Sequence, residues 1–302
     1  MILAILVFFL EMKGITASKG LIKKFRPKEV PEGQGARVRR IIGVSELKNI
    51  DPFVMMDHFF VDKPAGFPDH PHRGQDTVTY MIEGKCLHED FKGHMDEISE
   101  GDVQWMTAGR GIVHSEIPGT NHMEGLQLWV SLPADHKMCE PAYQSLTKER
   151  QVKVQLEGVN ATVISGELRG QRAETITRTP TYYFDLRMET NSEFFEDVPE
   201  NWNGLLYVLK GEVNVKDQTL KEGEVGVLTP QESKISLSSS KGARLVMILG
   251  SPLNEPIVQY GPFVMNSKKQ IEETMMDYRM QRNGFEGAHN WESKISQLRF
   301  DL

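Results

Sequence analysis

His70 and His72, in GFPDHPHRG at 66–74, and His114 and Glu116, in TAGRGIVHSEIPG at 107–119, are the residues whose types and spacing could do chemistry. Each pair is spaced i, i+2, which in an extended strand puts both side chains on one face of a sheet. Two such pairs on neighbouring strands converge. Three imidazoles and one carboxylate suit octahedral iron, manganese, nickel or copper and leave positions open for water or substrate. A closed structural zinc site would more often be built from thiolates. A lone HxH is weak, because most such histidines sit on the surface or in a satisfied core. The second pair changes the weighing, since three of only nine histidines fall in two i, i+2 pairs flanked by glycine turns.

The elements that must position these residues read as strands. From about residue 38 to 250, apolar segments of four to eight residues alternate with Gly, Pro and Asp turns, the signature of an all-β chain. An internal repeat is visible as well. TYMIEGKCLHED at 79–90 and ISEGDVQWMTAG at 98–109 return as LYVLKGEVNVKD at 206–217 and LKEGEVGVLTPQ at 220–231, offset by 127 residues at Gly84 and Gly211 and by 122 at Gly101 and Gly223. Such a unit suits a small antiparallel barrel or jelly roll, used twice. The same offsets carry His70 and His72 to Asp197 and Pro199, and His114 and Glu116 to Ser236 and Ser238, so the second copy is expected to lack the ligand set.

The expected organisation is an apolar extension over 1–14, a metal-bearing barrel over 15–135, a linker over 136–160 that packs across the junction, a second barrel over 161–265 and a helical tail over 266–302. Ser267 is placed to cap a helix running to about Met280, with Ile271, Met275 and Tyr278 on one face and Asn283-Gly284 ending it. Trp291, Ile295 and Leu298 form a second apolar stripe that reads as a docking surface on a barrel. MILAILVFFL at 1–10 is about half of a membrane span and lacks the basic region of a signal peptide, so a dispensable extension is expected and secretion is not. The net charge of −7 opposes nonspecific binding to nucleic acid. Cys86 and Cys139 provide no disulfide framework and fit a reducing compartment.

The stretches ARVRRIIG, DPFVMMDHF, GFPDHPHRG, HEDFKGH, GDVQWMTAGRGIVHSE, GLQLWV, RTPTYYFDL and GPFVMN, in that order, resemble the pirins of the cupin superfamily, and the likeness covers nearly the whole chain from about residue 15. The resemblance implies two tandem cupin (jelly-roll) barrels with a short C-terminal helical segment. It also implies one Fe2+ in the N-terminal barrel, held by His70, His72, His114 and Glu116, with other divalent metals as alternatives to iron, and a C-terminal barrel without metal. Pirins usually carry Glu where this chain has Asp76. That residue shares strand parity with His70 and His72, and its shorter side chain points to a role orienting an imidazole rather than binding metal. Gln75 stands where the family commonly has an aromatic residue. His88 and His94, which bracket HEDFKGH, read as polar turn residues. Trp105, Met106 and Phe67 are expected around an apolar pocket mouth, with core packing as the plainer alternative.

Two functions follow from the resemblance. The first is a quercetin 2,3-dioxygenase-type activity, O2-dependent opening of a flavonol-like small molecule, with Glu116 as the catalytic proton acceptor. The second is a nuclear transcriptional co-regulator in which the redox state of the iron changes the surface offered to a transcription-factor partner. For this second reading Arg37 and Arg39, which would share a strand face in ARVRR, are the docking surface, and the bland alternative is a solvated edge. No direct nucleic-acid or membrane contact is expected, the chain is read as a monomer, and its places are the nucleus and cytoplasm. A zinc isomerase or a purely structural bicupin fits the ligands less well.

Overall fold

The computed structural model describes residues 18–300, apart from the side chain at position 299; the apolar extension expected over 1–14 lies outside the described residues. After β1 (Leu21–Phe25) the chain builds its first sheet from β2 (Glu29–Glu32), β3 (Ala36–Ile42), β4 (Phe53–Asp62), β5 (Phe67–His72), β6 (Gln75–Asp90), β7 (Met95–Ser99), β8 (Val103–Thr107), β9 (Ile112–Ser131) and β10 (Ala142–Leu146). The second half follows with β11 (Val152–Leu156), β12 (Val159–Ser165), the short pair β13 (Glu167–Leu168) and β14 (Gln171–Arg172), β15 (Thr181–Met188), β16 (Ser192–Asp197), β17 (Asn203–Val215), β18 (Gln218–Lys221), β19 (Val225–Leu228), β20 (Lys234–Ser239) and β21 (Ala243–Gly250). A small hairpin, β22 (Val258–Tyr260) and β23 (Phe263–Met265), leads into the helix α1 (Lys268–Arg279). The first sheet runs β10-β8-β6-β9-β4-β3-β2, with β5 on β9 and β7 on β6. The second runs β1-β19-β17-β21-β15-β12-β11, with β16, β18 and β20 completing the barrel. The fold is therefore the expected all-β pair of jelly rolls.

The repeat has a backbone cause. Gly84 and Gly211 both take φ near +76°, and a Cβ at either position would lie 2.2 Å from a carbonyl oxygen, that of His122 or Gly242. Only glycine fits there. At this point β6 breaks register with β9 through bulges between Met81 and Cys86. In the first half of β6 Val78 and Tyr80 face the second barrel, while in its second half His88 reaches His114.

One core lies between the barrels. Met56, Val78, Tyr80, Leu126 and Leu128 of the first pack with Tyr183, Leu205, Tyr207, Val246 and Ile248 of the second. Polar ties cross the same interface: Tyr80 donates to Asp185 at 2.8 Å, and the Tyr207 hydroxyl lies 2.9 Å from His58 Nδ1, while Arg244 of the second barrel holds Asp185 at 2.8 Å. The second barrel is filled with apolar side chains such as Phe184, Phe194, Leu206 and Met247. The apolar cluster inside the first is much smaller and leaves room for a cavity.

Boundaries drawn along the sequence depart from the sheets in three places. β1, expected in the first barrel, pairs with β19 of the second. The 136–160 linker contains two strands, β10 on the first sheet and β11 on the second. The tail crosses back, and Phe263, Met265, Ile271 and Phe285 pack on Val113 of the first barrel. The helix is capped by Ser267, which accepts from Gln270 N. Ile271 is buried as expected, but Met275 is 41% exposed because Thr274 and Asp277 take the inward positions. Ile295 is buried, while Leu298 of the second stripe is exposed. Among the described residues no helix is long and apolar enough to cross a membrane.

His58 gives the barrel junction a pH dependence. Burial pushes its pKa below the usual histidine value, against the pull of Glu124, 2.8 Å from Nε2. Because the folded pKa lies below the unfolded one, the unfolded state binds more protons, and stability falls as pH drops below about 6.5. In thermal melts between pH 5 and 8, His58→Gln is expected to flatten that decline by at most one proton, about 1.4 kcal/mol per pH unit. An unchanged slope would remove His58 from this role.

Candidate metal centre

Strands β5 and β9 run antiparallel with His70 directly opposite His114 and His72 opposite Ile112. Side-chain alternation then turns His70, His72 and His114 into one space, where a nitrogen from each lies within 4.8 Å of the others. Their ring centroids are 4.3 to 4.9 Å apart. Desolvation lowers the pKa of all three, and His72 and His114 are held well below the ordinary value by burial and then by the neighbouring imidazoles. The rings are therefore neutral and offer lone pairs.

Their outer nitrogens are anchored. His70 Nδ1 donates to the Pro68 carbonyl at 2.8 Å, which leaves Nε2 as the lone pair. The Gln75 amide lies 3.1 Å from His72 Nδ1, and the edge of Trp129 packs against the same ring. His114 Nδ1 lies 2.8 Å from His88 Nε2, while His114 Nε2 is buried with no hydrogen-bond partner. A buried nitrogen without a partner costs free energy unless something else meets it. Three neutral imidazoles converging around such an atom fit a divalent metal ion.

Glu116 follows His114 on the same strand face and opposes Phe67. Its carboxylate lies outside the three-nitrogen cluster and accepts from Thr79 Oγ1 at 3.0 Å and from Gln127 Nε2 at 3.2 and 3.3 Å. Burial raises its pKa to about 7, with the Thr79 and Gln127 hydrogen bonds opposing. His70, His72 and Glu116 line a cavity of about 720 Å³ whose walls include Phe59, Phe67, Met123 and Trp129. Arg40 also lines it, in a bidentate pair with Asp57.

Asp76 takes a different place from the one its parity implies. Gly74 at φ +82° separates β5 from β6, so alternation does not carry across it. The Asp76 carboxylate accepts from Trp105 Nε1 at 2.9 Å, and burial raises its pKa to about 6; the neighbour Gln75 is the residue that touches an imidazole. Phe67 lines the cavity, whereas Trp105 belongs to the core between the barrels and Met106 to a small cluster with Ala108 and Ile112. Arg37 is exposed and paired with Glu29 at 3.0 Å, and Arg39 lies over the Phe60 ring at 5.0 Å. In the second barrel the inward positions of the β16–β20 pair are Phe194, Ile235 and Leu237. The offsets had placed Ser236 and Ser238 there. The facing is one residue earlier, and the imidazoles are replaced by hydrocarbon.

His88 is the residue that sequence reasoning undervalued. It lies within β6, fully buried, rather than in a turn, and burial lowers its pKa to about 3. The turn begins only at Asp90, whose Oδ1 accepts from Lys92 N and His94 N. The tautomer that frees His114 Nε2 has Nδ1–H donating to His88. Replacement by Ala is expected to raise the dissociation constant for a divalent metal about 10- to 100-fold, with His88→Gln, which keeps an acceptor, recovering most of it. A competition titration against a metal indicator reads this, and wild-type affinity in the Ala variant would exclude the role.

Comparison with known proteins bears on the same residues. Residues 35–130 match the Pirin family and residues 183–284 the Pirin C-terminal cupin domain. A pirin-like protein of Solanum lycopersicum is 49% identical over 279 residues, covering 91% of this chain and 96% of its own. Pirin of Homo sapiens is 43% identical, covering 92% and 99%. Among solved structures, quercetin 2,3-dioxygenase from Acinetobacter baumannii superposes with a TM-score of 0.82 at 31% identity, over 88% of this chain and 98% of its own. The bacterial pirin YhhW of Escherichia coli, solved with nickel(II), shares the fold at a TM-score of 0.63 and 17% identity, over 76% of this chain and all of its own.

Proposed function

Since the chain belongs to the pirin family, we propose that it is an iron-binding bicupin with quercetin 2,3-dioxygenase-type activity on a flavonol-like small molecule. The observation that carries this reading is the convergence of three neutral imidazoles, two of them buried and one partly so, beside Glu116 at the wall of a cavity sized for a drug-like ligand. The likeness to the Acinetobacter baumannii dioxygenase supports it. His70, His72 and His114 would hold the ion, with Glu116 as a fourth donor. Iron(II) bound there would supply open coordination positions and one-electron chemistry.

The remaining work falls to the chain. Phe59, Phe67 and Trp129 offer flat apolar surfaces to an aromatic substrate and keep water from it. Glu116 is the group that can take a phenolic proton, because burial holds its pKa near neutrality and its hydrogen-bond donors are both uncharged. Thr79 and Gln127 fix the carboxylate against the cavity wall.

The full chain, purified without added metal, is expected to carry about one iron by elemental mass spectrometry and to consume O2 when quercetin is supplied. His70→Ala should lose both. Glu116→Gln, assayed at saturating iron, should turn over about 10²- to 10⁴-fold more slowly; full turnover would remove Glu116 as the proton acceptor.

One observation favours the second reading. Along β3, Val38 and Arg40 line the cavity while Arg37 and Arg39 occupy the alternate positions, so one strand joins the metal pocket to a basic surface. In that reading the protein is a nuclear and cytoplasmic co-regulator, with the iron redox state biasing how a transcription-factor partner docks. Iron without quercetin-dependent O2 uptake, together with partner loss in Arg37→Glu at normal iron content, is the pattern that would favour it.

A further inference from the structure

Strand β5 carries two of the three imidazoles, yet among the described residues its ladder pairs with one strand, β9. Its ends are held by isolated bridges, Gln34 with Gly66 before it and Arg73 with Phe263 after it. The second bridge comes from the tail, with Val264 N donating to the Arg73 carbonyl at 3.0 Å. We propose that residues 258–300 act as a clasp on the metal centre, so that docking of this tail and occupation of the three histidines are thermodynamically coupled.

The tail meets the residue beside each histidine. Next to His72, the buried Arg73 guanidinium donates to Thr274 at 3.2 Å, to Asp277 at 3.0 Å and to the Asn283 carbonyl at 2.6 Å, and stacks on Phe285 at 4.7 Å. Next to His70, Asp69 accepts from Ser293 N at 3.2 Å and from Ser296 Oγ at 3.3 Å. Between His114 and Glu116, Ser115 Oγ lies 2.8 Å from Ser296 Oγ. Glu89, which follows His88, accepts from Ser293 Oγ at 2.9 Å and from Ile295 N at 3.0 Å. Gln259, Gly261 and Pro262 also line the cavity.

These contacts fix the backbone on which the ligands sit, and their loss frees two short strand ends whose order the ion requires. Coupling of this kind is reciprocal: whatever factor the docked tail adds to metal affinity, metal must add to tail docking. The inference rests on the three-histidine reading of the site and does not depend on turnover.

Nickel(II), read by binding alone with no substrate present, is the probe. In hydrogen exchange on the full chain, saturating nickel is expected to slow the amides of Val264 and of residues 293–296 about tenfold. The double variant Ser293→Ala/Ser296→Ala, altered outside the barrel interior, should raise the nickel dissociation constant by a similar factor. Exchange of the tail that is unchanged by bound nickel overturns the clasp while leaving the metal site intact, as does wild-type affinity in the double variant. A chain that takes up no nickel or iron overturns the clasp together with the metal reading beneath it.

Discussion

The strands between the two barrels must bury both of their faces, and the rest of the structure depends on that requirement. On β21, Leu245, Met247 and Leu249 fill the second barrel while Val246 and Ile248 meet the first. On β9, Leu126, Leu128 and Val130 pack into the shared core, which leaves Gln127 and Trp129 to face the cavity. A slip of one residue on β9 would exchange the two sets and drive Gln127 into hydrocarbon. The interface thus fixes the register of the long strands, and through β9 it fixes where Gln127 stands relative to Glu116.

Given that constraint, the two barrels can be filled differently without losing the fold. Around Phe194, Ile235 and Leu237 the second barrel is packed with hydrocarbon and has no need of an ion. At the corresponding level the first barrel buries His72, His88, His114 and Glu116, each of which costs free energy on leaving water. The apolar area shared with the second barrel offsets that cost. The crossed termini add to it, β1 covering the edge of the second sheet at β19 and the tail covering the first around Val113.

Much of this was legible in the sequence, and the exceptions have physical causes. Glycines whose φ is positive and whose Cβ would strike a carbonyl cannot drift, so Gly84 and Gly211 mark the repeat plainly. The i, i+2 histidine pairs survive for a similar reason, since strand alternation alone brings them together. Alternation fails as a guide where a turn intervenes. It placed Asp76 by counting through Gly74, and it shifted the second-barrel alignment by one residue through loops of unequal length. His88 was undervalued because a polar HEDFKGH stretch reads as a turn although its first three residues complete a strand. Met275 points outward because Arg73 demands Asp277 and Thr274 on the inner face of α1, a polar pairing that a search for apolar stripes does not register.

The charged groups around the first barrel's cavity shape what the site can hold. The cluster imidazoles are neutral, Arg40 pairs with both Asp57 and Glu32, and Asp69 meets the neutral donors of the tail. Glu116, which shares a strand face with His114, is the cavity-lining carboxylate placed to answer a cation. Its partners are a hydroxyl and an amide. An Arg or Lys in their place would hold the carboxylate permanently ionised and cancel its attraction for a metal. Neutral donors orient Glu116 without spending its charge, so the same carboxylate can compensate an ion or accept a proton, as the occupant of the cavity requires.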